Sequence, residues 1–241
     1  MAEGLKEIHF EEHVVKYLTR IIEPDFFEYR ERKPEDYDKD LCMIPQDTIS
    51  FLGNTQPKKV ENLNRQYGEN TYKQVIENIS SEVNKRKTLD VMREGVKDRG
   101  QHLDLVYFKP NHNRTPEHDE AYRKNIFSVI RQLKYSKKNN NSIDIVLFLN
   151  GLPIITIELK NALTGQYLHQ AIQQYIKDRD PKESLLEFRR CLVHFAVSTE
   201  KVSMCTELKG KSTYFLPFNK SLVNQDPADY ATSYLWKDVL R

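Results

Sequence analysis

In the N-terminal third of the chain, apolar residues recur every three or four positions, which is the period of an α-helix. This spacing predicts helices over 6–20 and over 70–93, the second as one helix or as two. Between them, Asp47-Thr48 is placed at the start of a short helix, and Pro57 interrupts the segment that follows. The N-terminal portion, about residues 1–95, is therefore predicted to be helical.

Beyond Gly95, the pattern changes to the short apolar runs and alternations that are typical of β-strands. Strands are predicted over 102–109, 127–135, the two arms of a hairpin at 144–160, 192–198 and 202–207. Helices are predicted over 164–178, ended by Asp180-Pro181, and over 226–240, while Thr115 is a predicted helix cap before Pro116. This order predicts one α/β (α+β) domain over 1–241, with its core at about 96–220 and a C-terminal helix at about 226–240.

The hairpin predicted over 144–160 carries the most informative side chains. Asp144 begins the first apolar run, and Glu158 and Lys160 end the second, where their spacing places them on one face. Carboxylates are ligands that Mg²⁺ prefers, and an ammonium group can stabilise charge on a phosphate, so these residues suit metal-dependent phosphodiester hydrolysis. The alternative is surface decoration, but charges on so apolar a strand are costly unless they are paired or metal-bound.

The loop of this hairpin decides whether the two carboxylates meet. A strict two-residue loop at Asn150-Gly151 pairs Asp144 with Ile157 and places Asp144 and Glu158 on opposite faces. A three-residue loop or a β-bulge pairs Asp144 with Glu158 instead. We therefore predict an odd-numbered loop or a bulge, with the main-chain carbonyl of Leu159 as a further metal ligand.

Two helices offer further candidates. Glu11 shares a helical face with Val15 and Leu18, so its carboxylate could reach a metal ion from the first helix, the alternative being a glutamate at the edge of the apolar stripe. On the helix after Lys160, Gln170 and Gln174 share a face, and one of them could contact a DNA phosphate. A solvated glutamine is the alternative for each.

Composition narrows the function classes. A net charge of +2 does not by itself indicate a nucleic-acid partner, and the basic residues that cluster around the hairpin could bind phosphate or form a solvated face. The three cysteines form no C-x-x-C pair, which favours reduced thiols, and core packing is the expected role of Cys191 and Cys205. We expect no secretory signal, membrane span, zinc site or ATP-binding loop. The basic residues that cluster around the hairpin are Arg123, Lys124, Arg131, Lys134, Lys137 and Lys138.

Six stretches of the chain resemble the N-terminal nuclease domain of the R (restriction, HsdR) subunit of type I restriction enzymes, and the resemblance extends over most of the sequence. It implies a PD-(D/E)xK nuclease fold, in which a central mixed sheet is flanked by helices, and Mg²⁺-dependent cleavage of double-stranded DNA. The stretches are FLGNTQP (51–57), GVKDRGQHLDLVYFKP (95–110), NIFSVIRQLKYSKKNNNSIDIVLFLNGLPIITIELKN (125–161), AIQQYIKDRDP (171–181), LVHFAVST (192–199) and FLPFNK (215–220).

By this resemblance, Asp144 matches the family's aspartate, and Glu158 and Lys160 match its E-x-K. Gln174 matches the glutamine of a Q-x-x-x-Y motif on the next helix. Position 178 is aspartate rather than tyrosine, which leaves the roles of Tyr175, Asp178 and Arg179 open. Glu11 fits the acidic position on the first helix of this fold. The resemblance thus implies four catalytic residues, Asp144, Glu158, Lys160 and Gln174, and three metal ligands, Asp144, Glu158 and Glu11.

Family R subunits are longer than this chain and carry an ATP-driven translocase, so the chain is expected to be an N-terminal fragment, with ATP needed only by the missing motor. The expected partners are double-stranded DNA and the modification and specificity subunits, in the prokaryotic cytoplasm and away from membranes. Because the specificity subunit would read the DNA, cleavage is expected to depend little on base identity. The alternatives are a catalytically silent DNA-binding or docking module, and a stand-alone resolvase or repair nuclease, against which 51–57 and 215–220 argue.

Overall fold

Seven α-helices and nine β-strands lie in the part of the chain that this computed structural model describes, which is residues 2–20, 27–110, 116–161, 167–221, 226 and 228–240. The helices are α1 (Ala2–Leu18), α2 (Pro45–Thr55), α3 (Pro57–Tyr67), α4 (Thr71–Arg86), α5 (Thr88–Glu94), α6 (Pro116–Arg123) and α7 (Leu168–Lys177). The strands are β1 (Arg30–Arg32), β2 (Val96–Asp98), β3 (Gln101–Leu103), β4 (Phe127–Lys134), β5 (Ser142–Leu149), β6 (Leu152–Lys160), β7 (Val193–Ser198), β8 (Val202–Cys205) and β9 (Leu216–Pro217).

One mixed sheet organises the molecule, with seven strands in the order β1-β4-β5-β6-β7-β8-β9. Strands β4, β5 and β6 run antiparallel to their neighbours in this group, whereas β1 is parallel to β4 and β7 is parallel to β6. Strands β2 and β3 form a separate antiparallel pair. Because β6 and β7 are parallel, the connection between them has to cross over, and α7 lies in that connection.

Helices cover both faces of this sheet, so its central strands are apolar on both sides. Side chains of α1 to α5 pack on one face, and α7 with the segment that follows it packs on the other. Alternate strand residues divide between the faces, for example Val129 and Leu147 toward the first and Ile130 and Val146 toward the second. The predicted α/β architecture, a mixed sheet flanked by helices, is confirmed.

The hairpin of β5 and β6 contains the predicted bulge. Leu149 pairs with Leu152 across a two-residue turn, but the register then shifts so that Leu147 pairs with Ile155 and Ile154 is the extra residue. Beyond the shift, Ile145 pairs with Ile157, which places Asp144 opposite Glu158. The prediction of a bulge is confirmed, and the bulge lies within β6 rather than in the loop.

The turn of the hairpin is buried and held by neighbouring segments. Asn150 and Gly151 have φ values of 51° and 86°, the two positive values that a type I′ turn requires. The Asn150 side-chain oxygen accepts a hydrogen bond from the Ile126 N–H at 2.7 Å, and the Thr48 hydroxyl donates to the Asn150 carbonyl at 2.7 Å. The Ile44 N–H donates to the Gly151 carbonyl at 2.8 Å, so the start of α2 fixes the hairpin's far end.

The strand predicted over 102–109 is wrong beyond Leu103. Side-chain amides take the place of a neighbouring strand there, because Gln56 donates to the Asp104 carbonyl at 2.8 Å and accepts from the Asp104 N–H at 2.9 Å. Asn125 makes the same two-way contact with the Tyr107 backbone, at 2.6 and 3.3 Å. The segment therefore satisfies its backbone groups without joining a sheet.

The prediction of a helix over 226–240 is also wrong, since the one helix among the described residues of this segment is a π-helix over Leu235–Val239. The Asp226 carboxylate accepts hydrogen bonds from the Ser233 hydroxyl and the Lys237 ammonium, which hold a series of turns instead of a long helix. The segment over 70–93 forms two helices, α4 and α5, because Lys87 between them has a φ of 72°.

Other predictions lie close to the observed elements. Helix α2 begins at Pro45, two residues before the predicted start, and α3 begins at Pro57 itself. Thr115 and residues 162–166 lie outside the described residues. The three cysteines are buried and free, in agreement with the packing role predicted for Cys191 and Cys205. Among the described helices, none has the length and apolar content that crossing a membrane requires.

Replacing Gly151 by alanine is expected to lower the free energy of unfolding by at least about 2 kcal/mol, because a left-handed backbone disfavours a side chain and the new Cβ would lie 2.4 Å from the Ile44 carbonyl oxygen. Gly210→Ala is the matched control, since Gly210 has a φ of 57° but no neighbour within 4 Å of such a Cβ. Urea denaturation followed by circular dichroism measures both. Equal losses in the two variants would contradict the importance of the close contact.

Candidate active site

The predicted catalytic side chains lie at one end of the sheet, where β4 and β6 end and β5 begins. Asp144 is half-buried, and one of its carboxylate oxygens accepts a hydrogen bond from the Leu159 N–H at 2.7 Å. The other accepts a longer hydrogen bond, 3.1 Å, from the side-chain amide of Gln132 on β4. Asp144 is thus fastened to both neighbouring strands, and it stands beside Glu158, as the sequence predicts.

Glu158 is fully buried and has an asymmetric environment. Its Oε1 accepts a charge-assisted hydrogen bond from Arg179 Nε at 2.7 Å, and the same guanidinium donates to the Ser142 carbonyl at 2.6 Å. Its Oε2 is also buried, but no hydrogen-bond donor within the described residues reaches it. A buried polar atom without a partner is costly, so this oxygen is suited to receive a ligand.

Electrostatics at this end of the sheet favour an added cation. Burial raises the pKa of Glu158 well above its usual value, and the negative charge of Asp144 raises it further. Arg179 and Lys160 oppose this shift and lower the pKa. Positive charge close to the two carboxylates would therefore stabilise the ionised form of Glu158.

Glu11 joins the site from helix α1. Its side chain is buried, and its Oε2 accepts a hydrogen bond of 2.7 Å from the Gln132 amide, which also donates to Asp144. Burial raises the pKa of Glu11 to about 7, the Gln132 hydrogen bond lowers it, and the charge of Asp144 raises it. The first helix thus brings a third carboxylate close to Asp144, with one amide between them.

Lys160 lies at the end of β6 and Gln174 lies on α7, the strand and the helix on which the sequence predicts them. Lys160 is half-buried at the end of β6, on the same face as Glu158, whose pKa it lowers. Gln174 lies on α7 with a buried side-chain oxygen that has no hydrogen-bond partner among the described residues. Gln170 has a local role, since its side chain accepts a hydrogen bond from the Tyr167 N–H at the start of α7.

The structure separates the roles of Tyr175, Asp178 and Arg179. Arg179 turns inward to Glu158, whereas Asp178 is exposed at the end of α7. The Tyr175 hydroxyl is buried and lies 2.8 Å from the Thr156 hydroxyl, which lies 2.7 Å from His194 Nδ1. Because burial lowers the pKa of His194 to about 4, this buried network is uncharged at neutral pH.

Hard oxygen donors suited to a divalent metal are present, but the described residues hold no group of three His, Cys, Asp or Glu side chains arranged around one point. Glu11 is linked to Asp144 through an amide, whereas Asp144 and Glu158 stand opposite each other. The donor set that fits Mg²⁺ is therefore the two strand carboxylates, including the unpartnered Oε2 of Glu158, with a main-chain carbonyl and water completing the shell.

A cleft of about 880 Å³ opens beside Asp144. Its walls carry both signs of charge, and Arg131, which lines it, lies 3.0 Å from Glu31 and within 4 Å of Glu11 and Glu12. Ion pairing extends to most of the basic cluster seen in the sequence, so that cluster alone does not indicate a phosphate-binding surface. The other pairs are Arg123–Asp119, Lys124–Glu120, Lys137–Asp40, Lys138–Asp180 and Lys138–Glu183.

Gln132 is a residue of this site that the sequence does not predict. Its position opposite Asp144 depends on the register between β4 and β5, which pairs Arg131 with Ile145 and Leu133 with Ile143. Nothing in the pattern of a half-buried strand distinguishes this glutamine from a solvated one. The pairing of Arg179 with Glu158 also had only an indirect signal, the missing tyrosine at position 178.

Comparison with known proteins gives one family. The model of the type I restriction enzyme R protein N terminus matches residues 12–213. This range contains Asp144, Glu158, Lys160 and Gln174, and it begins at the residue after Glu11. Searches of curated proteins and of solved structures gave no match.

Replacing Arg179 by methionine is expected to lower the free energy of unfolding by about 3 kcal/mol at pH 8, since breaking a buried ion pair leaves an uncompensated charge. Adding Glu158→Gln is expected to restore part of that loss, because the remaining partner is then neutral. Urea denaturation of both single variants and the double variant yields their coupling energy.

Simple additivity in that cycle would contradict the ion pair's contribution. Lys124→Met is the control, since it removes an exposed pair with Glu120 and should change stability little.

Glu11→Gln is expected to change how stability depends on pH. The folded pKa of about 7 lies above the ordinary 4.5, so the unfolded chain releases the Glu11 proton first as pH rises. Relative to Glu11→Gln, the wild type should lose about 3 kcal/mol of stability between pH 4.5 and 7, with no further change above that range. Denaturation of both proteins at several pH values measures this difference, and a flat difference would show that burial does not perturb Glu11.

Proposed function

The chain belongs to the N-terminal family of type I restriction enzyme R proteins, and from this premise we propose that it is the nuclease domain of an R subunit. In this proposal it is a phosphodiester hydrolase that cleaves double-stranded DNA with Mg²⁺. One observation carries the proposal: the buried, unpartnered Oε2 of Glu158 lies on the strand face that Asp144 shares. Two carboxylates placed in this way lower the stability of the fold unless a cation offsets their charge, and their oxygens are suitable ligands for such a cation.

Asp144 and Glu158 would hold the metal, with the Leu159 carbonyl as a third ligand. When bound, Mg²⁺ would supply an oriented water of lowered pKa and offset the negative charge that develops on the phosphate. Asp144 is already oriented by the Leu159 N–H and by Gln132, so it needs little rearrangement to act as a ligand.

The remaining side chains adjust charge and position. Lys160 would donate to the phosphate oxygens or help to position the attacking water, and the lowering of the Glu158 pKa by its ammonium group supports this role. Arg179 lowers the pKa of Glu158 and orients its carboxylate through a hydrogen bond of 2.7 Å. The buried oxygen of Gln174 is available to fix a water or a substrate group beside α7.

The proposed substrate and the proposed partner subunits both rest on the family to which the chain belongs. We propose that duplex DNA reaches the site past the cleft beside Asp144, where Arg32 and Lys33 also lie. Sequence recognition would belong to the specificity subunit and delivery of DNA to an ATP-driven motor, so cleavage would depend little on base identity. The modification and specificity subunits are the proposed partners, in the prokaryotic cytoplasm.

The alternative hypothesis is a DNA-binding or docking module that keeps the fold but does not cleave DNA. The contacts that favour it are those that already occupy the carboxylates, namely Arg179 on Glu158 and Gln132 on Asp144. This alternative predicts that the chain binds plasmid DNA in Mg²⁺ or Mn²⁺ without nicking it. The same result for the chain alone and for the assembled complex would establish the alternative.

Asp144→Asn and Lys160→Met are each expected to reduce plasmid cleavage by the complex reassembled with its partner subunits by at least about 100-fold, because they remove a metal ligand and a positive charge. ATP-driven translocation should persist in both variants. Linearisation of plasmid DNA and a translocation assay on the same preparations measure the two activities separately.

Matched controls are Asp178→Asn and Lys134→Met, which change exposed residues outside the carboxylate pair and should leave cleavage unchanged. Undiminished cutting by Lys160→Met would refute the role given to this lysine. Undiminished cutting by Asp144→Asn would refute the metal site.

A further inference from the structure

Gln132 connects two carboxylates that come from distant parts of the chain. Its Nε2 donates hydrogen bonds to Glu11 on α1 at 2.7 Å and to Asp144 on β5 at 3.1 Å. Its Oε1 accepts a hydrogen bond of 2.9 Å from the Ser142 hydroxyl. Both hydrogens of the amide nitrogen and the amide oxygen are therefore engaged.

The surroundings determine which way this amide is turned. In the opposite orientation, the amide oxygen would face the carboxylate oxygens of Glu11 and Asp144. All three atoms are hydrogen-bond acceptors, so no hydrogen bond could form between them. The hydroxyl of Ser142 can donate to the oxygen in the observed orientation and accept from the nitrogen in the other, so it does not distinguish the two. The two carboxylates therefore select the observed orientation.

The backbone of Gln132 also departs from its strand. Its φ is 49°, a left-handed conformation that residues other than glycine seldom adopt. Such conformations persist where the surrounding structure holds them, and they are concentrated at functional sites. Asparagine adopts this conformation more readily than glutamine, so the longer side chain at this position points to a need for reach rather than for backbone fit.

We propose that Gln132 is a positioning residue that sets the spacing of Glu11 and Asp144, and thereby makes the first helix part of the metal-binding site. This inference rests on the proposed function. The negative charge of Asp144 disfavours ionisation of Glu11, so the two carboxylates repel each other when both are charged. One amide donating to both offsets this repulsion and holds α1 against β5.

The inference also assigns a role to Glu11, which the family match does not cover. Glu11 does not form one cluster with Asp144 and Glu158, so a direct ligand role is not required of it. Its contribution would pass through Gln132, as an outer carboxylate that fixes the amide and with it the orientation of Asp144. Outer partners of this kind commonly change metal affinity by tenfold or more when removed.

The test is a calorimetric titration of the chain with Mn²⁺ alone at pH 8, in which affinity is read without any cleavage. Gln132→Met keeps the size of the side chain and removes the donor, and Gln132→Asn keeps an amide and fits the backbone but is one methylene too short. Both are expected to weaken Mn²⁺ binding about tenfold. Gln101→Met, on the separate two-stranded sheet, is the matched control and should bind as the wild type does.

A second pair of measurements shows that the effect passes through Glu11. Glu11→Gln alone is expected to weaken Mn²⁺ binding to a similar extent, and the double variant with Gln132→Met should be no weaker than either single variant. Full additivity would overturn the coupling. A glutamine with a merely structural role would lower the urea midpoint while leaving the Mn²⁺ affinity of the folded protein unchanged, which would also overturn the inference.

The remaining outcomes separate this inference from the proposed function. If the wild type binds Mn²⁺, Asp144→Asn does not, and both Gln132 variants bind as tightly as the wild type, the proposed function stands and the role of Gln132 is overturned. If the wild type does not bind Mn²⁺, the proposed function fails and this inference fails with it. Ser142→Ala, which removes only the hydroxyl that contacts the amide oxygen, replaces Gln132→Met if that variant does not fold, and a few-fold weaker affinity is expected.

Discussion

A single extra residue in a β-hairpin determines the geometry of the candidate site. Side chains on a strand alternate between faces, so the insertion of Ile154 into β6 moves every later residue of that strand to the opposite face relative to β5. Asp144 and Glu158 therefore share a face that a regular hairpin would have denied them. The buried turn at Asn150-Gly151, held by α2, keeps the strand ends from sliding to another register.

Bringing two carboxylates together in a buried place creates an electrostatic cost, and the surrounding residues are arranged to offset it. Arg179 and Lys160 supply positive charge on the side of Glu158, and Gln132 supplies hydrogen-bond donors between Asp144 and Glu11. One buried oxygen of Glu158 nevertheless keeps no partner among the described residues. This oxygen is the atom at which we propose that the cation binds.

The sequence predicts the parts of this molecule that depend on local pattern. Periodicity places α1 and the strands of the central hairpin, and the parity of Asp144 against Glu158 is enough to require a bulge. It fails where side chains replace regular structure, as at Asp104, whose backbone is paired by Gln56. It also fails for Gln132, because the contact with Asp144 depends on a strand register and a backbone conformation that no spacing rule describes.

Helix α1, which carries Glu11, is held on its other side by residues near the opposite end of the sequence. Phe10 packs against Tyr230 and Trp236, with ring centroids 4.6 and 5.9 Å apart, and the Tyr29 hydroxyl donates to the Leu240 carbonyl. During synthesis, β5 and β6 emerge from the ribosome before Tyr230 and Trp236, so this aromatic support for α1 forms only after both hairpin strands are available to pair. The two strand carboxylates are therefore synthesised before the aromatic residues that hold the helix carrying the third.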